Sequence, residues 1–155
     1  MSQFRYTSVF LKDGWIYVFT FANANDQART YDRCLAKHPE NVVAAALGRD
    51  VLSALRTEER FMGLEEFRSR QNPILSATGY KTHTKLNKGL ASVEVSQASP
   101  EKEISVLPRR NKGRDIFPMT EERTSLPKEI DAEELGKCVL RLLARSREVN
   151  SPHQH

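Results

Sequence analysis

The chain has 155 residues, a mass of 17.7 kDa and a net charge of +4, with 39% apolar and 28% charged residues. This size fits one ordinary globular domain, and the composition excludes a collagen, a coiled coil and a strongly disordered chain. Charged residues interrupt the first segment and the longest apolar run covers only residues 42–47, so we expect no signal peptide, no membrane span and a cytoplasmic location.

The first segment of the chain has the pattern of a β-hairpin. Residues 4–10 and 15–21 are rich in β-branched and aromatic side chains and flank Asp13-Gly14, a strong turn signal. The second arm is almost continuously apolar, which is typical of a strand covered on both faces. We therefore predict that it is a central strand of a sheet.

Three helices are predicted next. Residues 29–37 are assigned to a helix that ends at His38-Pro39, and residues 63–70 to a short helix with Leu64 and Phe67 facing inward, ended by Asn72-Pro73. Between them, an amphipathic helix is expected to begin at Pro39. Its apolar positions recur every three or four residues, at Val43, Ala46, Leu47, Val51, Leu52 and Leu55.

The middle of the chain alternates in a way that predicts strands. Residues 79–107 are interpreted as a three-stranded antiparallel meander with a half-exposed face, because Tyr80, Thr82, Thr84 and Leu86 alternate with polar residues. Residues 108–114 are predicted to form a basic loop, and a further short strand is expected at Ile116 and Phe117.

A last helix is expected after a capping box formed by Asp131 and Glu134, with an apolar face at Leu135, Val139, Leu142 and Leu143. The sequence thus predicts an α+β domain over residues 1–149 and a flexible tail over residues 150–155. Its antiparallel sheet is built from the N-terminal hairpin and the central meander, and two amphipathic helices containing Leu-Gly pack against it.

These two helices share a sequence pattern. Residues 47–55 and 135–143 align without gaps, with Leu-Gly at the start of each. Glycine inside a helix costs about 1 kcal/mol relative to alanine, so its presence indicates a close backbone approach. We expect Gly48 and Gly136 each to lie against the sheet or another helix, on one face of the sheet. The alternative explanation of the shared pattern is that two amphipathic helices match by chance.

No catalytic, cofactor-binding or metal-binding site is predicted. Of the four histidines, His153 and His155 lie in the C-terminal tail, and His38 and His83 have no Cys or His neighbour at ligand spacing. The sequence contains no GxGxxG, Walker, GxSxG or HExxH motif. Cys34 and Cys138 lie in helical patterns and are expected to be free thiols, with Cys138 packed as a small apolar side chain. The protein is therefore not expected to be an enzyme.

One surface stands out by its charge. The polar face of the meander and the basic loop bring together a set of cationic side chains that can contact an acidic protein or phosphate groups, although an ordinary soluble surface is an equally good interpretation. The set comprises Lys81, His83, Lys85, Lys88, Arg109, Arg110, Lys112 and Arg114.

The C-terminal helix carries a resemblance to a known family. The pattern formed by Asp131, Leu135, Gly136, Val139, Leu140, Leu143, Ser146 and Arg147, with its fainter echo at residues 46–56, resembles the immunity proteins of contact-dependent growth inhibition, the CdiI family. The resemblance implies a non-enzymatic antidote in the cytoplasm that binds the C-terminal toxin domain of a CdiA effector, often a nuclease, in a 1:1 complex.

Two partner hypotheses follow. The first is toxin binding through the cationic set, since an exposed sheet face and a charged loop can change without disturbing the helical core. Inhibitors of nucleases are often acidic whereas this chain is basic, so either the toxin offers an acidic surface or a local acidic patch, such as Glu58-Glu59 with Glu65-Glu66, makes the contact. The alternative is a small nucleic-acid-binding domain that uses a basic sheet face, although direct nucleic-acid binding is not the expectation.

Overall fold

A computed structural model describes residues 4–24, 28–112 and 115–150. It confirms an α+β architecture, with an eight-stranded sheet and five α-helices in these residues. The strands are β1 (Arg5–Lys12), β2 (Trp15–Ala24), β3 (Ala28–Pro39), β4 (Phe61–Met62), β5 (Ala91–Gln97), β6 (Ile104–Lys112), β7 (Asp115–Pro118) and β8 (Thr124–Leu126). The helices are α1 (Ala44–Arg56), α2 (Leu64–Ser69), α3 (Pro73–Thr78), α4 (His83–Asn87) and α5 (Ala132–Val149), with a single 3₁₀ turn at Thr120–Glu122.

The sheet follows the order β3-β2-β1-β5-β6-β7, with β4 beside β2 and β8 beside β6. All pairs are antiparallel except the short β2–β4 pair. Strands β1 and β5 join the N-terminal hairpin to the later strands, with Val9 opposite Val93. One continuous antiparallel sheet therefore forms from the two parts of the sequence that were expected to form it.

The N-terminal hairpin is confirmed. Asp13 and Gly14 have φ values of 51° and 81°, as a two-residue turn with both central residues left-handed requires. Strand β2 lies between β1 and β3, and its residues 16–20 are buried. The prediction of a central strand is therefore also confirmed.

The helix predicted over residues 29–37 is wrong, because these residues lie in strand β3. The pairing of β3 with β2 skips Asp32 and Leu35, so the strand contains two bulges. As a result Tyr31 and Cys34, which pack on the same core cluster, are three residues apart instead of two. This spacing imitates helical periodicity and explains the error.

The first strand of the predicted meander is also wrong. Residues 83–87 form the short helix α4, and Thr82 caps it by accepting a hydrogen bond from the Lys85 amide at 3.3 Å. Alternating threonines suggested a strand, but of the alternating positions only Leu86 is buried. Threonine side chains that are not buried favour caps and turns as readily as strands.

The later part of the meander is confirmed. Strands β5 and β6 pair in antiparallel register from Ser92–Arg109 to Gln97–Ile104, and β7 follows where a short strand was expected. The predicted basic loop is instead largely the end of β6, which extends to Lys112. Residues 113 and 114 lie outside the described residues.

Helices α1 and α5 cover one face of the sheet. They enclose a core whose sheet side includes Val9, Val18, Val93 and Val106. Helix α1 begins at Ala44, later than predicted, because Glu40 and Asn41 form a turn and Val43 is the N-cap, with 69% of its surface exposed. Helix α5 begins as predicted, with the Asp131 carboxylate accepting from the Glu134 amide at 2.8 Å.

The two Leu-Gly pairs meet where α1 crosses α5. A Cβ atom on Gly48 would lie 1.7 Å from the carbonyl oxygen of Ala132, and one on Gly136 would lie 1.9 Å from that of Ala44. Each glycine therefore lets the backbone of the other helix approach closely. The expectation that both glycines lie against a neighbour on one face of the sheet is confirmed.

Helices α3 and α4 cover part of the opposite face with Ile74, Leu75 and Leu86. Beneath them lies an aromatic group in which the Phe10 and Phe19 rings are 5.5 Å apart and the Phe19 and Tyr31 rings 5.8 Å. Helix α3 was not predicted; it begins at Pro73 with Asn72 as cap, so the Asn-Pro pair that was interpreted as a stop is a start. In the part of the chain that the structure describes, no helix is long and apolar enough to span a membrane.

The helix predicted over residues 63–70 is present as α2, but the expected inward orientation of its apolar residues is wrong. Leu64 is 43% exposed and Phe67 38% exposed. The buried residue of this segment is Met62, which lies in β4. Helix α2 therefore presents apolar side chains at the surface near the edge of the sheet.

Candidate functional site

Four of the predicted site residues lie around helix α4. Lys81, His83, Lys85 and Lys88 are all exposed, on the side of the sheet opposite α1 and α5. The Nε2 atom of His83 lies 3.3 Å from the Nδ2 atom of Asn72, and the Lys88 carbonyl accepts a hydrogen bond from the Lys12 ammonium. Because these residues are not on a strand, the basic sheet face predicted for nucleic-acid binding does not form as expected.

Arg109 takes a partly internal position. Its Nε atom donates to the Ser92 hydroxyl at 3.1 Å, and its guanidinium lies 5.3 Å from the centre of the Phe10 ring. The Nη2 atom is buried and has no hydrogen-bond partner among the described residues. This arginine thus packs against the aromatic group while only part of it is exposed.

The remaining predicted residues lie at the end of β6. Arg110 and Lys112 are exposed, and Arg114 lies outside the described residues. Asn111 links this end of β6 to the end of α4, because its Nδ2 atom donates to the carbonyl oxygens of Asn87 and Leu90 at 2.8 and 3.1 Å. We call Lys81, His83, Lys85, Lys88, Arg110 and Lys112 the basic surface.

A cleft of about 290 Å³ lies beside the basic surface. Apolar side chains from the sheet, α3 and α4 line it, including Phe10, Ile74 and Leu86, and His83 and Asp115 lie among its lining residues. The cations around α4 therefore lie on the side of the sheet that carries this largely apolar depression.

Arg110 and Lys112 alternate along β6 with Arg109 and Asn111, which face that side, so they point to the face covered by α1 and α5. The basic surface thus extends around the end of β6 onto both faces of the sheet.

A second surface was not predicted and lies at β4 and α2. Phe61 is 61% exposed, and Leu64 and Phe67 follow it on the first turns of α2. We call Phe61, Leu64, Glu65 and Phe67 the α2 edge. Its sequence signal was a short amphipathic pattern, which gives the periodicity of a helix but not the direction in which the apolar face points.

Arginine side chains fix the α2 edge to strand β3. Arg60 donates to both carboxylate oxygens of Asp32, at 2.9 to 3.1 Å, and to both oxygens of Glu66, at 2.5 and 3.1 Å. Arg70 donates to the Tyr31 carbonyl and to the Thr30 hydroxyl, and its guanidinium lies 4.9 Å from the centre of the Phe67 ring. Bidentate contacts of this kind define orientation as well as energy.

Further links hold the start of this segment. Arg29 pairs with Glu59, whose side chain is only 7% exposed, and the Asn23 amide donates to the Arg60 carbonyl at 2.9 Å. The hydrogen bond from Arg60 lowers the pKa of the Glu66 carboxyl below its ordinary value, and the two carboxylates raise the pKa of Arg60. Both members of the Arg60–Glu66 pair are therefore ionised at neutral pH.

Both cysteines are free thiols, as expected. Burial raises the pKa of both thiols, and the Cys138 side chain lies on the buried face of α5 and packs in the core. Cys34 differs from the prediction in that it lies on a strand. Among the described residues, no group of three His, Cys, Asp or Glu side chains could hold a metal ion.

Comparison with known proteins gives a family match over nearly the whole chain. The model of the family described as CDI immunity protein, CdiI, matches residues 5–146. Among curated protein sequences, none matches this chain significantly.

Two solved structures share the fold. A protein of unknown function from Neisseria meningitidis is 19% identical, with a TM-score of 0.71 over 94% of this chain and 96% of the other. A chain of a CdiA-CT/CdiI toxin and immunity complex from Yersinia pseudotuberculosis is 21% identical, with a TM-score of 0.65 over 92% of this chain and 97% of the other. The antiparallel sheet and its helices are therefore an arrangement that this chain has in common with both.

Proposed function

Because the chain belongs to the CDI immunity protein (CdiI) family, we propose that it binds and neutralises the C-terminal toxin domain of a CdiA effector. The family match over residues 5–146 is the observation that carries this proposal. The structural similarity to a chain of a toxin and immunity complex is consistent with it. Inhibition by binding needs no catalytic group, so we propose that the protein is not an enzyme.

The finer features of the proposal concern the toxin and the complex. We propose a nuclease toxin and a 1:1 complex that forms in the cytoplasm, where an entering toxin domain has to be neutralised. A stable complex of this kind buries about 1,600 Å² in total, of which a few central side chains contribute most of the affinity.

The basic surface is one proposed toxin contact. Lys81 and Lys85 are exposed on the side of the sheet that carries the depression, which could receive an apolar side chain of the partner, and Arg110 and Lys112 are exposed at the end of β6. Arg109 is a weaker candidate, because its guanidinium is already engaged with Ser92 and Phe10. Complementary charges at such a surface mainly accelerate association and select the partner.

Co-purification with the toxin domain tests the proposal. The chain is expressed together with the toxin domain encoded directly upstream, and the complex is passed over a size-exclusion column at 1 M salt. We expect a single species with both chains in equal amounts, because an interface with a buried apolar centre resists salt. Separate elution of the two chains at both low and high salt would contradict the proposed function.

Binding to nucleic acid is the alternative outcome. If oligonucleotides bind to the chain alone at low salt and the affinity falls steeply as salt is raised, the basic surface serves phosphate groups instead. A charge-reversal variant of the basic surface, Lys85→Glu with Lys112→Glu, would then abolish oligonucleotide binding. We expect no oligonucleotide binding by the unmodified chain.

A further inference from the structure

We propose that the α2 edge is the apolar anchor of the toxin interface and contacts a basic surface of the toxin domain. This inference rests on the proposed function and adds the place of contact and the chemistry of the partner's surface. The surface is formed by Phe61, Leu64, Glu65 and Phe67, at the end of the sheet where β4 joins β2.

The first observation is the concentration of exposed apolar side chains. The described residues contain six large apolar side chains that are exposed, and three of them, Phe61, Leu64 and Phe67, lie within seven residues. Single exposed apolar residues are ordinary, whereas a group of them with a polar rim marks an interaction site. Phenylalanine is also one of the residue types enriched at the centres of protein interfaces.

The second observation is that this segment is held rigidly. Arg29, Arg60 and Arg70 tie residues 59–70 to the edge of the sheet, and Met62 is 1% exposed beneath it. The segment could bury Phe61 and Phe67 only by breaking these links. A surface that is fixed before binding loses little conformational entropy when the partner arrives.

The third observation is the local charge. Residues 57–70 contain four Glu and three Arg, a net charge of −1, in a chain whose total is +4. Among the described residues, Glu58 and Glu65 form no salt bridge, so both remain available to a cation. Arg68 and Arg70 follow at the end of α2, where Arg70 faces Tyr31 and Phe67.

This charge identifies the kind of occupant. In a symmetric dimer the same patch would face itself, so the unpaired carboxylates would meet a patch with the same small excess of negative charge. A partner with a basic and partly apolar surface fits instead, and a nuclease that binds polyanionic substrates has such a surface. Glu58 and Glu65 give this edge of a basic chain two unpaired carboxylates, which a basic toxin can contact.

A short segment of chain links the α2 edge to the basic surface. Asn72 follows α2 and lies 3.3 Å from His83 at the start of α4. The two surfaces could therefore belong to one interface, with the apolar anchor on α2. Variants of each surface separate their contributions.

Equilibrium binding to purified toxin domain tests the inference. The toxin domain is stripped from the co-purified complex with denaturant, refolded and titrated with variants of this chain. We expect Phe61→Ala and Phe67→Ala each to weaken binding by about 30-fold, as truncation of an interface hot spot does. Glu65→Lys should slow association by about tenfold.

Two matched variants serve as controls. Val43→Ala shortens an apolar side chain that is 69% exposed at the start of α1, outside both surfaces, and Glu103→Lys reverses an exposed carboxylate before β6. We expect both to bind within threefold of the unmodified chain, and all variants to keep its melting temperature.

The outcomes separate the two proposals. If the unmodified chain binds and the α2-edge variants bind equally well, the anchor assignment is wrong while the proposed function stands. If Lys85→Glu weakens binding and the α2-edge variants do not, the basic surface alone is the interface. If the unmodified chain does not bind its toxin domain at all, the proposed function itself fails.

Discussion

Gly48 and Gly136 face each other where the two long helices cross: a Cβ atom on Gly48 would lie 2.9 Å from the amide nitrogen of Gly136. The contact is backbone against backbone, so no side chain can move aside to relieve an added methyl group. It fixes how α1 and α5 cross over the sheet, and both helices contribute to the same buried cluster. The shared Leu-Gly pattern is thus a packing device of the scaffold.

A methyl group at this contact should destabilise the fold. We expect Gly136→Ala to lower the free energy of unfolding by about 3 kcal/mol, the upper part of the range for overpacking, because the added carbon meets the Ala44 carbonyl. Urea denaturation followed by circular dichroism measures it. Gly63→Ala is the control, since a Cβ there meets nothing within 4 Å and the change should be within about 0.5 kcal/mol.

The same substitution separates scaffold from interface. Because Gly136 belongs to the helix crossing, the folded fraction of Gly136→Ala should bind the toxin domain with unchanged affinity. A variant that keeps its melting temperature but loses binding would show that the crossing itself contacts the partner.

A buried hydroxyl connects helix α5 to the sheet. Ser146 donates to the Arg109 carbonyl at 2.5 Å and accepts from the Ser92 amide at 2.9 Å, so it bridges β5 and β6. Ser146→Ala leaves a buried amide unpaired, and we expect a loss of about 1–3 kcal/mol in unfolding free energy. As a control, Ser53→Ala at an exposed position of α1 should change the free energy of unfolding by less than about 0.5 kcal/mol. An equal loss in both variants would contradict the role of the Ser146 bridge.

The ion pair between Arg60 and Glu66 at the α2 edge makes the stability of the fold depend on pH. Arg60 lowers the pKa of Glu66, so the stabilisation from this pair is complete above the ordinary glutamate value of 4.5 and is lost as the pH falls through the lowered pKa. An NMR titration of the Glu66 carboxyl carbon should show this pKa rising toward 4.5 in Arg60→Ala. Arg68→Ala should leave the Glu66 pKa as low as in the unmodified chain. An unchanged Glu66 pKa in Arg60→Ala would contradict the role of this ion pair.

Burial should also make Cys138 unreactive. Removal from water raises the pKa of its thiol, and the thiolate is the form that reacts with alkylating agents. In a Cys34→Ala background we expect iodoacetamide at pH 7.5 to modify Cys138 slowly in the folded protein and rapidly in denaturant, as mass spectrometry would show. Equal rates in both conditions would mean that α5 opens readily.

Elements with strong local signals could be predicted from the sequence. The Asp13-Gly14 turn needs two left-handed residues, and the cap at Asp131 needs a carboxylate before a helix, so short motifs suffice for both. Strand β3 could not be recognised, because the bulges at Asp32 and Leu35 replace alternation with a three-residue spacing. Its structure depends on pairing with β2, which lies outside any local pattern.

The candidate site was less accessible to sequence reasoning than the fold. The charges of Lys85 and Lys112 were enough to predict that both side chains are exposed. The partly internal position of Arg109 could not be predicted in this way, because it depends on Phe10, which is distant in sequence. The exposure of Phe67 depends on the ion pairs of Arg60 with Asp32 and Glu66, which anchor α2 with this face outward. Amphipathic patterns identify an apolar face and leave its partner open, whether that partner is the core or another protein.

Protection of growing cells tests the central claim most directly. The toxin domain encoded upstream is induced inside cells that carry either this chain or an empty plasmid, and growth is followed after induction. We expect cells with the chain to grow normally and cells without it to arrest, with partial protection by a double Phe61→Ala and Phe67→Ala variant. Arrest in the presence of folded, unmodified chain would contradict the assignment of this protein as the antidote.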